Sequence, residues 1–411
     1  MRILVWATYP QFDIMAFASY LDRAPGVELL VVARQLAAFL AQPFARVRPF
    51  SAPLLDWDDP SVPSRVRAFR ADVAIMDNRL PPIGSAPRLV NIGHGLGWKN
   101  VGPTDLWVYH QGQTRFTGHD TRLPNPNLLV LCYGDTDMRW RTERWGLDPA
   151  NCRKIGMPFA DLVADPPYTR EELAGDYRID IRKKTVLLNI TWHYGGVFAQ
   201  PAGAGGIRPR FSAGHHGRDF DFIERLAKAT AARDANVLFC LHERKRYRPG
   251  IRRSFEAIAA RYPNMELKYK DDRPDNLADL IVSDVMISNY SSFITPFYVL
   301  GRPAIHIRPV ASDVSAFKFS MLTFAGLWAR TASVDKEAYM MDLDDTGGPI
   351  VESADEAIDA VLAALDDPYG YRATTEAWLD RHLDRPQGGA AARLFGEILA
   401  MCATPPKPRR S

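Results

Sequence analysis

Two histidines of this chain each follow an apolar run that has the length of a buried strand, and the first is flanked by glycines. His94 lies between Gly93 and Gly95, and glycine lets a backbone approach a ligand closely. Near neutral pH a histidine can take a proton from a hydroxyl or hydrogen-bond a phosphate. Ligands of open α/β sheets bind beyond the carboxyl ends of the strands, so the sequence predicts that His94 does chemistry at such an edge. The alternative is a histidine that bonds carbonyl groups of its own turn.

The second histidine, His242, is followed by a cluster of positive charge. Arg244, Lys245 and Arg246 come within four residues of it, and cations of this kind bind phosphate through charge-assisted hydrogen bonds. The sequence therefore predicts that His242 and Arg244 lie near a phosphate group. The alternative is a basic loop that is exposed to solvent.

A third segment places polar side chains between an apolar strand and an apolar helix. The strand is predicted at residues 285–287 and the helix at residues 293–300. The residues that end the gap between them are Asn289, Tyr290, Ser291 and Ser292. Such a turn can present backbone N–H groups and serine hydroxyls to phosphate oxygens at a helix N-terminus. The alternative is that Asn289 or Ser291 only caps the helix.

A long segment rich in Gly, Ala and Pro follows the strand predicted at residues 185–190. Residues 195–217 are too many for a tight turn, and we interpret them as a lid over a ligand cleft. The pair His215-His216 lies in this segment, but adjacent histidines on a flexible loop make a poor preformed metal site. We interpret a second metal-like motif, Asp135-Thr136-Asp137, as the cap of the helix that follows it. We therefore expect no metal.

The totals describe an ordinary soluble protein with more than one core. The chain has 411 residues, of which 46% are hydrophobic and 24% charged, and this length predicts two domains. The net charge of +3 is too small to argue for nucleic acid as a partner, and no apolar run reaches the roughly 20 residues of a membrane helix. The four cysteines are scattered without CxxC spacing, which favours a reducing cytoplasm and argues against zinc.

Strands and helices alternate along the chain. The first seven residues begin like a signal peptide, but the apolar run breaks at Tyr9-Pro10, so we interpret them as a buried strand. The alternation predicts parallel sheets with right-handed crossovers. In the first half the predicted strands are residues 3–6, 27–32, 71–76, 88–92, 105–109 and 128–132. In the second half they are residues 185–190, 237–241, 266–269 and 285–287, with a further strand that begins at residue 304.

The polar stretch 166–184 marks the boundary between two α/β halves. We predict two Rossmann-like domains whose parallel sheets face each other across a cleft. The N-terminal domain comprises residues 1–165 and the C-terminal domain residues 166–380. Residues 381–411 are predicted to form a helix that packs back on the body and a disordered basic tail. Neither half contains the GxGxxG motif of a dinucleotide fold.

Taken together, several short motifs resemble the CDP-glycerol glycerophosphotransferase family, the teichoic-acid primases and polymerases with a GT-B-like fold. In chain order the matching segments are His94-Gly95, Gly156-Met157-Pro158, Ile190-Thr191-Trp192, Leu241-His242 and the block from Ser283 to Ser292. The block that ends in Tyr290-Ser291-Ser292 is the most specific of them. The resemblance covers about residues 91–307.

The chain departs from the family pattern at three places. Asn289 replaces an acid, Pro296 replaces an acidic residue a few positions after the serines, and Leu96-Gly97 replaces the Thr-Pro that usually follows the His-Gly pair. These changes leave open which head group the donor carries.

The resemblance implies a transferase that moves a polyol phosphate from a CDP-linked donor to a hydroxyl of a cell-surface glycan or glycolipid, with release of CMP. His94 would be the base, in an N-terminal acceptor domain. His242, Ser291 and Ser292 would hold the diphosphate in a C-terminal donor domain. The other implied donor contacts are Gly95, Thr191, Arg244, Asn289 and Tyr290. No metal or other cofactor is implied.

Two further functions remain open from the residues alone. One is a sugar transferase or an enzyme similar to UDP-N-acetylglucosamine 2-epimerase, which would use a UDP-sugar on the same fold. The other is a non-catalytic family member that binds a nucleotide or a glycan. We expect a cytoplasmic protein, and a lipid-linked acceptor would place it at the inner face of the cell membrane. The sequence does not predict an oligomeric state.

Overall fold

The computed structural model describes residues 1–98, 103–190, 219–244, 247, 249–308, 316–324, 327–335 and 340–408. These residues form two α/β domains, each built around a parallel sheet. The predicted fold class is therefore confirmed. No helix among the described residues combines the length and the apolar character that a membrane span requires.

The sheet of the first domain has seven parallel strands. They are β1 (Arg2–Ala7), β2 (Glu28–Ala33), β3 (Leu54–Asp56), β4 (Val73–Met76), β5 (Arg88–Asn91), β6 (Leu128–Cys132) and β7 (Cys152–Lys154). Their order is β3-β2-β1-β4-β5-β6-β7, and Val5 pairs with Val31 on one side and Ile75 on the other. The strands β1, β2, β4 and β6 are nearly continuous apolar runs, as expected where helices cover both faces of a parallel sheet.

Seven helices accompany this sheet. They are α1 (Phe12–Leu21), α2 (Leu36–Leu40), α3 (Pro43–Val47), α4 (Val62–Phe69), α5 (Pro103–Thr117), α6 (Asp135–Arg139) and α7 (Pro158–Ala164). A π-helical turn, Trp140–Arg144, continues α6. Two 3-10 turns, Pro149–Asn151 and Glu171–Asp176, lie before β7 and after α7.

The strand predicted at residues 105–109 is wrong, because this stretch lies inside α5. A short run with Trp and Tyr favours a strand by composition, and a run of this length cannot be told from a helix by periodicity. The helical spacing appears only further on, where Gln113, Phe116 and Thr117 are all fully buried. The hydroxyl of Thr117 donates to the carbonyl of Gln113, four residues before it.

The second domain contains a six-stranded parallel sheet and a separate hairpin. Its strands are β8 (Thr185–Asn189), β9 (Asn236–Leu241), β10 (Met265–Tyr269), β11 (Val285–Ser288), β12 (Ala304–Ile307), β13 (Ala316–Phe324), β14 (Leu327–Asp335) and β15 (Ile350–Val351). The sheet order is β10-β9-β8-β11-β12-β15, and β13 pairs antiparallel with β14. Its helices are α8 (Asp219–Ala231), α9 (Pro249–Arg261), α10 (Asn276–Val282), α11 (Ile294–Val299), α12 (Ala354–Asp366), α13 (Arg372–His382) and α14 (Ala390–Cys402).

One hydrophobic cluster spans the two domains, and each domain has a further cluster of its own. Buried side chains of α1 and α7 belong to the same cluster as those of α10 and α11. Polar contacts reinforce this packing at the start of α10, where the carboxylate of Asp275 caps its own helix by accepting from Leu277 N and Ala278 N. The same carboxylate accepts a hydrogen bond from Phe44 N at 3.0 Å. The residue that caps α10 in the second domain therefore also bonds the backbone of the first domain.

The chain returns to the first domain after α13. Asp384 N donates to Tyr133 O at 2.8 Å, and the carboxylate of Asp161 accepts from the first N–H groups of α14. Gly156 has a φ of +90°, and a Cβ there would lie 2.3 Å from Asp384 O. The glycine of the Gly156-Met157-Pro158 motif is therefore required where the returning chain crosses it.

The C-terminal tail is more ordered than the sequence predicted. Lys407 forms two hydrogen bonds with the side chain of Asn127, at 2.8 and 3.0 Å, and the carbonyl of Thr404 accepts from Arg88. The predicted disorder is thus wrong for the tail as far as Lys407, and residues 409–411 lie outside the described part. Hydrogen bonds hold this part of the tail in place. The tail therefore shows no hydrophobic pattern from which its order could be predicted.

Candidate functional site

The loop that carries His94 follows β5 and packs directly on the second domain. A Cβ added to Gly95 would lie 3.0 Å from the Cβ of Ser292, and one added to Gly97 would lie 2.9 Å from the Cα of Ser292. The hydroxyl of Thr295 donates to Leu96 O at 2.8 Å. Two motifs that are about 200 residues apart in the sequence therefore meet at the boundary between the domains, and the glycines make this approach possible.

Buried polar groups of the first domain support the His94 loop from behind. Gly95 N donates to the hydroxyl oxygen of Tyr133 at 2.7 Å, and that hydroxyl lies 2.9 Å from the carboxylate of Asp13. Asp13 also accepts from Phe159 N at 2.9 Å. Burial raises the pKa of Asp13 to about 7, against the effect of these hydrogen bonds. Sequence reasoning missed this group, although a lone acid inside an apolar helix is a usable signal.

His94 is half-buried among aromatic rings. Its ring centroid is 5.5 Å from that of Phe12 and 6.0 Å from that of Tyr9. Burial, assisted by the positive charge of Lys270, lowers the pKa of His94 to about 3. The imidazole is therefore neutral at physiological pH, and the neutral form is the one that can accept a proton.

Tyr290 anchors the turn that faces this loop. Its backbone has a φ of +60°, its side chain is fully buried, and its hydroxyl donates to Leu343 O at 2.8 Å. The ring packs at 5.5 Å from Trp98 and at 5.1 Å from His306. The side chain of Tyr290 is packed in the core, so only its main-chain atoms remain as the predicted contact with the donor.

The two serines of the turn differ in exposure. Ser291 is buried, and its hydroxyl accepts from Phe293 N at 3.2 Å. Phe293 is the N-cap of α11, so this hydrogen bond closes the turn before the helix and does not cap the helix itself. Ser292 is partly exposed and carries the side chain that touches the His94 loop. The helix predicted at residues 293–300 is shorter, since α11 spans six residues. Asn289 is almost fully buried.

His242 lies at the carboxyl end of β9 and is partly exposed. Its backbone N–H donates to the hydroxyl of Tyr247 at 3.0 Å. The next residue, Glu243, is buried, and its carboxylate lies 3.4 Å from the hydroxyl of Tyr9 in the first domain. The histidine is thus placed where the two domains approach each other, as the sequence predicted for a ligand edge.

Arg244 is already engaged with acids. Its guanidinium pairs with Glu256 at 3.1 Å and with Asp272, and it lies 4.2 Å over the ring of Tyr269. Two other cations lie over the ring of Tyr9, which packs at 6.0 Å from His94. The ammonium of Lys270 is 4.3 Å from the ring centroid of Tyr9, and the guanidinium of Arg34 is 5.9 Å from it.

Three predicted features lie outside the described residues. They are Thr191, the interpreted lid 195–217 and the cations Lys245 and Arg246. In the part of the chain that the structure describes, no group of three His, Cys, Asp or Glu side chains could hold a metal ion. Asp137 forms a buried ion pair with Arg141 at 3.0 Å and accepts from Tyr133 N. The interpretation of Asp135-Thr136-Asp137 as a helix cap is wrong, because these residues form the first turn of α6 and its N-cap is Gly134.

The fold and the site define a class of protein: a GT-B-like fold in which loops at the carboxyl edges of two parallel sheets meet. The solved structure of the wall teichoic acid polymerase TagF matches with a TM-score of 0.66 at 15% identity, over 98% of this chain and 89% of TagF. A UDP-GlcNAc 2-epimerase from Neisseria meningitidis bound to UDP-GlcNAc matches with a TM-score of 0.55 at 12% identity, over 97% of this chain and 100% of the epimerase.

Sequence comparison agrees with the first of these structures. The teichoic acid ribitol-phosphate polymerase TarL of Staphylococcus aureus (strain NCTC 8325 / PS 47) is 24% identical over 271 residues, which are 64% of this chain and 40% of TarL. The chain thus spans less than half the length of this curated relative. No family model matches the chain. The predicted resemblance to the teichoic-acid polymerases is confirmed in sequence and in fold.

Proposed function

We propose that the protein transfers a polyol phosphate, such as glycerol phosphate, from a CDP-linked donor to a hydroxyl of a cell-surface glycan or glycolipid, and releases CMP. The observation that carries this proposal is the contact between the His94 loop and Ser292. This contact brings the loop of the first domain that carries the neutral His94 against the turn of the second domain that carries the hydroxyls of Ser291 and Ser292. A TagF structure of the same fold was soaked with CDPG, which supports a CDP-linked donor.

In this proposal residues 1–165 hold the acceptor and residues 166–380 hold the donor. The acceptor hydroxyl attacks the phosphorus that bears the polyol, and His94 takes the hydroxyl proton. The bond from that phosphorus to the CMP oxygen breaks, so CMP leaves with the bonding electron pair. A bound diphosphate would raise the pKa of His94 from about 3, because a nearby anion favours the imidazolium. The base would thus become stronger when the donor is present.

The donor diphosphate would lie against His242 and the serine turn. Ser292 offers a partly exposed hydroxyl, and Gly95 lets the loop pack closely against it. Ser291, Asn289, Thr191 and Arg244 stay predicted contacts. Hydrogen bonds that strengthen as charge develops on the leaving CMP would lower the barrier, and one such donor is worth about 100-fold or more in rate. No step requires a metal or other cofactor.

The test is release of CMP from CDP-glycerol and CDP-ribitol, compared with release of UDP or UMP from UDP-sugars. Purified protein would be given a crude glycan or glycolipid acceptor, because the acceptor is undefined. We expect CMP release that depends on the acceptor. Release of UDP instead would contradict the proposed donor.

A second candidate function is supported by the match to the UDP-GlcNAc 2-epimerase, which covers nearly all of this chain. A sugar transferase or an epimerase would use a UDP-sugar in the same cleft, and product analysis separates the two. Nucleotide binding with no turnover on any acceptor would favour the non-catalytic alternative. A lipid-linked acceptor would place the protein at the cytoplasmic face of the cell membrane, which sedimentation with acceptor-loaded vesicles tests.

A further inference from the structure

Two positively charged side chains, one from each domain, lie over the ring of Tyr9. Tyr9 follows β1, Arg34 follows β2, and Lys270 follows β10 on the other domain. The ammonium of Lys270 is 4.3 Å and the guanidinium of Arg34 5.9 Å from the centroid of this ring. All three side chains are partly exposed. A cation over an aromatic face is held in place by the ring quadrupole, so these flexible side chains are ordered before a ligand arrives.

His94 belongs to the same neighbourhood. Its ring centroid is 6.0 Å from that of Tyr9, and the charge of Lys270 is felt at the imidazole. One carboxylate that faces this group is Glu243, whose oxygen lies 3.4 Å from the Tyr9 hydroxyl. Another is the buried Asp77, which accepts from the backbone N–H of Thr8 at 2.9 Å and from that of Tyr9. Arg34 forms no ion pair with the described residues, whereas two carboxylates pair with Arg244.

Resting on the function proposed above, we propose that Lys270 and Arg34, ordered by Tyr9, form an anion clamp that holds a phosphate group of one reactant beside His94. Phosphate oxygens accept charge-assisted hydrogen bonds from Lys and Arg, which are about twice as strong as neutral ones. The phosphate belongs either to the diphosphate of the donor or to an acceptor that already carries a phosphate. The chemistry of the contact is the same for both.

The position also explains why the clamp uses one cation from each domain. Lys270 N donates to Leu241 O at 3.0 Å, so Lys270 lies next to the end of β9 and the His242 segment. Arg34 N lies 3.4 Å from Ala7 O at the end of β1. A phosphate bound by both side chains would tie the carboxyl edges of the two sheets together around the reacting groups.

The test variants are Lys270→Met and Arg34→Gln, which remove charge but keep most of the side-chain length. Lys270→Arg keeps the charge and serves as the rescue variant. Lys228→Met and Arg67→Gln remove the same charges from exposed positions on α8 and α4 and serve as matched controls. Melting temperatures would identify any variant that fails to fold.

Two measurements distinguish the source of the phosphate. Calorimetry without acceptor gives the Kd for CDP-glycerol and for inorganic pyrophosphate, and steady-state kinetics at saturating donor give the KM for the acceptor. We expect both clamp variants to weaken the same reactant by about 10-fold or more, since a hydrogen bond to a charged group is worth about that much. Lys270→Arg and the controls should stay within about threefold. Unchanged constants for both reactants would overturn the clamp.

A pH profile separates the clamp from a merely structural role. Lys270→Met should raise the pKa of His94, so the acid limb of kcat/KM should move to higher pH, whereas Arg34→Gln should leave that limb in place. If the wild-type protein transfers nothing from any CDP donor, the proposed function fails. The pyrophosphate measurement then still decides the clamp: equal binding by wild type and variants overturns it, and loss in both clamp variants supports it.

Discussion

The His94 loop and the Tyr290 turn meet at Ser292, yet each is supported by a different kind of packing. Behind the loop lies a polar chain in which Gly95 N reaches Tyr133 and then the buried carboxyl of Asp13. Behind the turn lies an aromatic cluster of Trp98, Tyr290 and His306. Hydrogen bonds depend on direction and therefore set the orientation of the loop. Aromatic packing fills space and therefore sets how closely the turn fits against its neighbours. The half that we propose to carry the base is thus the half whose orientation is set by hydrogen bonds.

The comparison extends to pH, because the first support contains a buried carboxyl group and the second a buried imidazole. Burial raises the pKa of Asp13 to about 7 and lowers the pKa of His306 to about 3. Both groups therefore favour the neutral form in the folded protein. Their effects on stability have opposite signs, since the acid is neutral when it holds its proton and the histidine is neutral when it has lost one.

Among the variants that change the supports of the loop and the turn, the largest effect is expected from Gly97→Ala. The new Cβ would lie 2.9 Å from the Cα of Ser292, so the loop and the turn must move apart. We expect transfer to fall by about 100-fold or more, because misplacement of about 1 Å has that effect on catalysis. The control is Gly175→Ala, at an exposed position with open space around it. The transfer rates of both variants are compared with that of the wild type. A Gly97→Ala enzyme with the wild-type rate would contradict the proposal that close contact between the loop and the turn is needed for transfer.

A smaller loss is expected from Tyr133→Phe. This variant removes the hydroxyl that accepts from Gly95 N and lies 2.9 Å from Asp13. The loop then loses the hydrogen bond that orients it, while its packing against Ser292 stays. We expect kcat to fall by about 10-fold and stability by about 1–3 kcal/mol, the effect of leaving buried polar groups without a partner. A lower kcat with an unchanged donor Kd would show a positioning role. Loss of donor binding instead would place Tyr133 nearer to the donor than we infer.

The pH comparison is tested by the free energy of unfolding from about pH 4 to 8. Between the unfolded pKa of 3.8 and the folded value of about 7, the folded state keeps the proton of Asp13, so stability falls as pH rises. For His306 the unfolded value is 6.5 and the folded value about 3, so stability rises with pH over that range. Each effect is on the order of 4 kcal/mol over the full range.

Substitution should therefore change the two slopes in opposite directions. Asp13→Asn should remove the decline toward pH 7, and His306→Gln should remove part of the rise below pH 6.5. His94 contributes to the same rise, since its pKa is also lowered. Denaturant titrations of the two variants and the wild type give the slopes. A pair of variants with the wild-type pH dependence would contradict the buried neutral state of both groups.

The smallest effect is expected from Tyr290→Phe. The change removes only the hydrogen bond to Leu343 O, and the ring stays in the core. We expect a stability loss of about 1 kcal/mol and a kcat/KM within about threefold of the wild type. A loss as large as that of Tyr133→Phe would show that the Tyr290 hydroxyl touches the donor, as the sequence alone suggested.

The sequence predicted the long strands of both sheets, because these are apolar runs of the kind that a parallel sheet buries on both faces. It did not predict the short strands β3, β7 and β15 or the hairpin of β13 and β14. It failed at residues 105–109, where a short aromatic run belongs to a long helix whose buried polar residues hide the spacing. It also predicted order poorly in the tail, which is held by side chains such as Asn127.

For the site, the sequence predicted the motifs but not their supports. The His94 loop and Ser292 were singled out, and the structure brings the glycines of that loop against Ser292. Lys270 and Arg34 were not, because a cation near the end of a strand is ordinary until the ring of Tyr9 from another part of the chain is placed beside it. Arg244 illustrates the converse: it looked available for phosphate, and its partners, Glu256 and Asp272, became evident only in three dimensions.

The central claim is that His94 is the base for an acceptor hydroxyl, and its most direct test is the turnover of His94→Asn with CDP-glycerol and acceptor, alongside calorimetric donor binding. We expect kcat to fall by about 100- to 10,000-fold, the range for a lost general base, while the Kd of the donor and the melting temperature stay near wild type. Turnover within about threefold of the wild type, with the fold intact, would show that the proton goes elsewhere.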